Sequence, residues 1–594
     1  MVRGAEPLVR VRRPRGDAGR RARRIRHSRQ QDPRQLTQED MKEKIVLGHV
    51  GVAQLLASRG FDTVFSMLGG TNVPWIGAGV ADGLLRLVPT RHEATCVSAA
   101  VGYARSTGKV GLCSVSRGPG FANAVNALIA AQRNHSPIML VVAESPSPDS
   151  MTAQNVDQRG FTELIGAGFH HAGTFAELPA ALDAAVTAAE WDGQPQVLSL
   201  ADRIVDEEID DLPAGRAPGR SRGAPDAASI TTAVDMLAAA SRPVIVAGQG
   251  AVHADAGAAL ADLAEETGAA LATSVLANQL FAGHPHDLGL SGGWAPVASR
   301  ATLRECDLVL VFGASFNQFT SGHGKLFSNP AVVQCDVNAA AVAEVVPVDL
   351  ALIGDARDTA ALLLDEWRLR ELGRRQPPSL PSRHEIRESV HAVPLETSTG
   401  LDPREVYRVL DEVLPPNRVI VTDSGRSLPT LISLVGTPSA RDFLVGRGYG
   451  SIGLGLGTAI GASAGRPDAP VFLVCGDGGL MMSAQELDAV RLAGLDLTII
   501  VMNDLQYGAE VKHLRKYGLP DDIAQQAPPD LVGLARVFEG SGQLVTTLDD
   551  LRGLTLPPHG LHLVDVRIDP EIEGTRALGP NAEKRLGLAS AGSM

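Results

Sequence analysis

Two short apolar runs, "VFLVC" (471–475) and "LTIIVM" (497–502), constrain this chain more than anything else in it. Each is continuous and rich in β-branched or large apolar residues, the pattern of a strand buried on both faces of a parallel sheet. Between them, Ser483 and Glu486 have the spacing of a helix capping box, and Gly494 falls where a C′ glycine ends a helix. The stretch therefore predicts a βαβ unit, whose crossover is right-handed in nearly all proteins. Parallel strands end on one edge of the sheet, and open α/β sheets bind ligands at that edge. Both runs finish there in polar residues, Gly476-Asp477-Gly478 on the first and Asn503-Asp504 on the second.

The same alternation of strand and helix extends along the chain. "TVFSML", "LRLVPT", "VGLCSV" and "PIMLVVAE" read as strands in the first part, with helices at "VGVAQLLASRG" and "ATCVSAAVGYARSTG". "PVIVAGQGA", "ALATSV", "CDLVLVFGAS" and "AVVQCDV" follow in the middle, then "RVIVTDSG" and "LGLGTAIGASAG" ahead of the opening unit. Pro-, Gly- and Arg-rich stretches at 210–229 and 374–400 read as linkers. The expected organisation is α/β: three domains with parallel sheets at 42–209, 229–370 and 400–571, the outer two alike around a Rossmann-like central one. A basic, disordered extension is expected at 1–41 and a tail at 572–594.

Charge and cysteine usage narrow the function classes. The net charge is −13, which gives no general case for nucleic acid. Twelve arginines against Glu6, Asp17 and Asp32 in the first 34 residues leave the remainder near −22. That segment reads as an extension, with a basic arm or a transit-peptide-like segment as the other readings. Five scattered cysteines without a CxxC argue for a reducing, cytoplasmic setting and against a disulfide frame or zinc site. No apolar run is long enough to span a bilayer.

Asp477 alone, or Asn503-Asp504 alone, is an ordinary strand-end turn residue. On adjacent tips they favour a hard cation with oxygen ligands. Mg²⁺ rarely receives an all-protein cage and usually binds beside phosphates, so the pair implies Mg²⁺ bridging to a bound diphosphate.

Gly476-Asp477-Gly478 followed by Asn503-Asp504 resembles the diphosphate motif of thiamine diphosphate (ThDP) enzymes. The resemblance implies that Asp477, Asp504 and the carbonyl of Gln506 hold the metal, and that Gly425, Gly476, Gly478, Gly479, Tyr507 and Gly508 lie against the cofactor. Asp504 departs from the motif, where Asn is usual, and its extra negative charge needs the metal or a nearby cation to offset it. "TRHEATCVSAAVGYARSTGKVGLCSVSRGPGFANAV" (90–125) is similar to the first-domain signature of the acetolactate synthase branch. There the Glu after Arg-His is the essential acid, here Glu93, which bonds N1′ of the aminopyrimidine and drives its imino tautomer. An apolar setting would raise the pKa of such a carboxyl. "GYGSIGLGLGTAIGA" (448–462) follows the glycine-rich segment of the branch, so Gly450 would line the cofactor and Ile452 would wedge it into its bent form.

The resemblance implies cleavage of a 2-oxo acid, with release of the acyl carbanion or its transfer to a second carbonyl. Gln158 falls where the branch has a Gln near the reacting centre. Glu510 falls where pyruvate decarboxylase-type enzymes carry an acid and acetolactate synthases an apolar residue, and it can relay protons. Arg117 is a candidate carboxylate grip or a surface charge, and Thr71 and Asn72 lie on a loop that usually faces the site. In place of the flavin-binding Gly-Ala-Arg-Phe-Asp-Asp-Arg stands "GASFNQFTSG" (313–322), so FAD is expected to be absent. The resemblance implies a homodimer or dimer of dimers, with Glu93 and Asp477 of one site drawn from different chains, while charge and the apolar runs point to neither nucleic acid nor membrane as partner. The alternatives are a non-decarboxylating aldehyde lyase or carboligase on the same fold, and a non-catalytic cofactor-binding scaffold.

Overall fold

The computed structural model describes residues 46–144, 153–209, 223–322, 326–390, 397, 399–426, 428–446, 449–527 and 529–572. The 1–41 extension, most of the 210–229 linker, Gly448 and the tail beyond Ile572 lie outside them.

Three six-stranded sheets carry the fold, each parallel throughout. In spatial order the first holds Arg86–Pro89, Thr63–Ser66, Gly111–Val115, Ile138–Ala143, Gln196–Leu200 and Gly168–Ala172. The third holds Phe443–Val445, Val419–Thr422, Val471–Gly476, Leu497–Asn503, Leu561–Arg567 and Ser541–Val545. With strands numbered along the chain within each sheet, both read 2-1-3-4-6-5. The outer domains therefore share one topology. The central sheet reads 3-2-1-4-5-6, the order of the Rossmann fold, from Asp287–Leu290 at one edge to Leu350–Ile353 at the other. Among the described residues no helix is long and apolar enough to cross a membrane.

In the third sheet the winding reverses between Val419–Thr422 and Val471–Gly476, the kind of switch point at whose carboxyl ends open α/β sheets form a ligand crevice. Val471–Gly476 pairs in parallel with Leu497–Asn503, from Phe472 opposite Thr498 to Gly476 opposite Met502. Asp477 and Asp504 thus leave the sheet side by side.

The segment between these strands departs from the single capped helix expected. It breaks into Asp477–Met481, a 3-10 turn at Ala484–Glu486 and Leu487–Ala493, ended by Gly494 in the left-handed conformation (φ 59°). Ser483 makes no capping bond. Glu486, fully buried, instead accepts the backbone N–H of Arg91 from the first domain at 2.9 Å. A tertiary contact has taken the carboxylate that a local cap would use. The second linker also contains more order than its composition suggests, a helix Arg383–Ser389 with a complete capping box between Ser382 and Glu385.

Glu93–Thr107 and Gly455–Gly465 join the outer domains. Gly457 meets Thr95 and Ser98, Gly461 meets Ala99, and Gly465 meets Tyr103 and Thr107, so the two helices run parallel and start at the same end. A Cβ on Gly102 would lie 1.9 Å from the Thr458 carbonyl, and one on Gly461 1.8 Å from that of Ala99. Only hydrogen fits at these crossings, which explains the run of small residues on both helices. Beside them, buried Arg105 donates to the Val445 carbonyl at 2.8 Å, and Arg91 pairs with Asp488.

Candidate functional site

The third-domain crevice gathers carboxylates, glycines and one arginine. Asp477 opens a short helix and is 2% exposed, and its Oδ2 has no hydrogen-bond partner. Burial, reinforced by the charge of Asp504, pushes its pKa up to about 7. Burial also raises Asp504, against the opposing pull of Arg426. The Arg426 Nη2 lies 2.9 Å from Asp504 Oδ2, in the loop that follows Val419–Thr422. This is the cation that the Asp504 departure requires.

Asn503 builds the turn. Its Nδ2 donates to Asp565 at 2.9 Å, and its Oδ1 accepts the N–H of Leu505 at 3.1 Å. Leu505 takes a left-handed conformation (φ 57°) uncommon for a side chain of its size. Beyond it, the Leu505 carbonyl accepts the Gln526 N–H and the Tyr507 N–H donates to Ala524, with Gln506 between them opposite Gln525. In such a pair the N–H and C=O of Gln506 point away from Gln525. Hydrogen bonding from Gln506 lowers the Asp504 pKa, against the larger effect of its burial.

Glycines line the crevice. A Cβ on Gly425, Gly450 or Gly476 would meet nothing within 4 Å. One on Gly478 would lie 2.6 Å from the Tyr507 ring, one on Gly508 2.8 Å from Asp504 Oδ2, and one on Gly479 2.8 Å from Asp423 Oδ2. Asp423, buried and raised to about 6 by that burial, accepts the N–H of Gly453 at 2.8 Å and that of Ser424 at 2.7 Å. It fastens the glycine-rich loop to the strand tip. Ile452, on that loop, is 39% exposed. The unpartnered oxygen of Asp477, the glycines with open space beside them and the exposed Ile452 are the groups here that could hold a metal, a diphosphate and an apolar ring. Among the described residues no group of three or more His, Cys, Asp or Glu could hold a metal by itself.

Glu93 is the first residue of its helix, whose N-cap is His92. Its Oε2 accepts Nδ2 of Asn123 at 3.0 Å, and its Oε1 is 3.4 Å from where a Cβ of Gly120 would be. On the same helix as Asn123, Asn126 donates to Ser451, the neighbour of Ile452, at 2.9 Å. Gln158 is buried at a helix start; its Nε2 donates to the Ala143 carbonyl at 3.0 Å and its Oε1 accepts from Ser199 at 3.4 Å. Glu510 is exposed in the first turn of Gly508–Lys516. Arg117 is held by Asp202 at 2.5 Å and donates to the Glu144 carbonyl. Asn72 is buried and bonds Ser66, Ser114 and Gly69, while Thr71 meets Ser116. Sequence reasoning passed over Asp423, Arg426 and Asn123. The signal for the first two was two charged residues in "TDSGRS" at a strand tip; for Asn123 none was available.

Paired α/β domains with this edge define a class of diphosphate-binding enzymes, and comparison with known proteins narrows it. Residues 48–164, 230–363 and 423–555 match the N-terminal TPP binding, central and C-terminal TPP binding domains of thiamine pyrophosphate enzymes. The chain belongs to this family, in its acetolactate synthase-like group. It is 30% identical over 548 residues, 86% of its length and 94% of the relative's, to a probable 2-ketoarginine decarboxylase, AruI, of Pseudomonas aeruginosa. It is 27% identical over 545 residues (89% and 96%) to the acetolactate synthase isozyme 2 large subunit of Escherichia coli. To a probable acetolactate synthase large subunit of Methanocaldococcus jannaschii it is 26% identical over 550 residues (88% and 92%).

Proposed function

We propose that this chain is a ThDP- and Mg²⁺-dependent enzyme that cleaves a 2-oxo acid and releases the acyl fragment or transfers it to a second carbonyl. One observation carries the reading: Asp477 and Asp504 stand side by side on neighbouring strand tips, with Asp477 Oδ2 unpartnered in a glycine-lined crevice. Asp477, Asp504 and the Gln506 carbonyl would hold the metal. Gly425, Gly450, Gly476, Gly478, Gly479, Tyr507 and Gly508 would accommodate the cofactor, and Ile452 would prop its ring. The bound cofactor supplies the nucleophilic carbon and the electron sink. Glu93, oriented by Asn123, would hold and move a proton at the aminopyrimidine N1′. Glu510 would relay protons at the site mouth. Gln158 would stand near the reacting centre, its amide oriented by bonds to the Ala143 carbonyl and from Ser199.

The test is turnover with ThDP, Mg²⁺ and a panel of 2-oxo acids, including one with a guanidino group, following CO2 and products. Product formation without CO2 would select the aldehyde lyase alternative. Cofactor uptake with no turnover on any acid or aldehyde would select the scaffold.

We further propose a homodimer or dimer of dimers whose sites are shared between chains. Tyr449, Ile452, Met481, Met482 and Leu505 leave large apolar surface exposed around the crevice, as an interface requires. Mixing inactive Glu93→Gln and Asp477→Asn subunits should then restore about a quarter of wild-type activity, since half the dimers are mixed and each has one intact site. No recovery after refolding the mixture would place each site within one chain.

FAD is proposed to be absent. The stretch 313–322 carries no charged side chain. Its start also closes on the first loop of the central sheet: Gly250 N–H donates to the Gly313 carbonyl at 2.9 Å, and a Cβ on Gly248 would lie 2.3 Å from that oxygen. Purified protein should show no stoichiometric flavin absorbance.

A further inference from the structure

Arg426 and Asp504 pack as one block against Gly508, where a Cβ would lie 2.8 Å from Asp504 Oδ2 and 2.9 Å from Arg426 Cδ. The guanidinium is held from behind as well. Its Nη1 donates to the Pro570 carbonyl at 2.5 Å and its Nη2 to that of Asp569 at 3.3 Å, while Nη2 also lies 2.9 Å from Asp504 Oδ2. Two backbone carbonyls and a glycine floor thus aim the cation at one carboxylate oxygen. Asp504 itself stands beside Asp477, so this sheet edge presents two carboxylates where a polyanion is to bind.

We propose that Arg426 and Asp504 act as a single unit in the diphosphate clamp, Arg426 cancelling the charge that Asp504 adds; this rests on the reading of the crevice as a Mg²⁺–diphosphate site. An Asn offers the metal a neutral amide oxygen. An Asp with a fixed guanidinium offers an oxygen of greater basicity at the same net charge. Without Arg426, the uncompensated carboxylate faces the phosphates across a partly buried gap, where repulsion is poorly screened. Arg426 is a positioning residue in this scheme, since it acts through Asp504. The rival role for it is purely structural, pinning residues 569–570.

A double-mutant cycle separates the two. Full-length wild type, Arg426→Gln, Asp504→Asn and the double variant are titrated with ThDP in excess Mg²⁺ by calorimetry, and their thermal unfolding is measured without cofactor. Arg426→Gln should weaken ThDP binding about tenfold or more, because it strands a buried charge. Asp504→Asn should rescue it, leaving the double variant within about threefold of wild type. Arg426→Lys, which keeps the charge, should retain most of the affinity and serves the same comparison if Arg426→Gln does not fold. A double variant as weak as Arg426→Gln alone, or an Arg426→Gln that binds as wild type does, overturns the inference while leaving the site reading intact. Wild-type protein that takes up no ThDP overturns both.

Discussion

Glu93→Gln should lower turnover by about two decades or more, the range expected when a positioned acid–base group is lost. The substitution keeps the shape of the side chain and its ability to accept from Asn123 Nδ2 through the remaining oxygen. Glu93 heads a helix otherwise buried along most of its length, and its own side chain is only partly buried. The fold should therefore survive, and thermal unfolding of the metal-free protein should change little. ThDP affinity should also fall much less than turnover, because the proposed diphosphate clamp lies in the other domain. The diagnostic pattern is lost rate with retained binding, read by steady-state kinetics and calorimetry on the same preparations. Equal turnover in the two proteins would remove Glu93 from the chemistry.

The second large effect is expected at Asp477. Asp477→Asn should weaken Mg²⁺-dependent ThDP binding by about two decades or more, as a direct ligand contributes at least what its supporting shell does. A pH signature accompanies it. In the metal-free protein the carboxyl titrates at about 7, against 3.8 for an ordinary Asp. The folded chain therefore holds this proton across a window in which the unfolded chain has released it. On this account the stability of the metal-free protein falls as pH rises from about 4 to about 7. A metal held by Asp477, as proposed, would displace the same proton, so stabilisation by Mg²⁺ and ThDP should grow between pH 5 and pH 8 and be accompanied by proton release. Thermal unfolding with and without the ligands, at several pH values and in two buffers of different ionisation heat, measures both. A ligand-induced shift in melting temperature that is flat with pH in wild type would defeat the assignment of Asp477.

Much of this architecture was legible before any coordinates. Strands such as 471–475 and 497–502 are short, apolar on both faces and bounded by polar tips, and the structure differs from that reading by one residue at each carboxyl end. Periodicity reports such elements because burial on both faces is a local property of the run. Gly60, Gly108 and Gly494 end their helices with positive φ, which only the absence of a Cβ makes easy. What was not legible has a different cause. Ser483 and Glu486 have capping-box spacing, yet Glu486 is taken by Arg91 of another domain. Gln158 was placed by resemblance alone, and only the fold shows its amide bonded to Ala143 and Ser199 on two strands.

By itself, then, the sequence determined the layered α/β plan, the two polar strand tips and the glycines that leave room above them, since each follows from neighbours along the chain. Tertiary structure alone decided that Arg426 meets Asp504, that Asp423 anchors the loop at Gly453, and that Asn123 holds Glu93. Those partners are remote in sequence or lie on different loops, and they meet only because parallel crossovers deliver every strand tip to one edge, where register sets which side chains face each other.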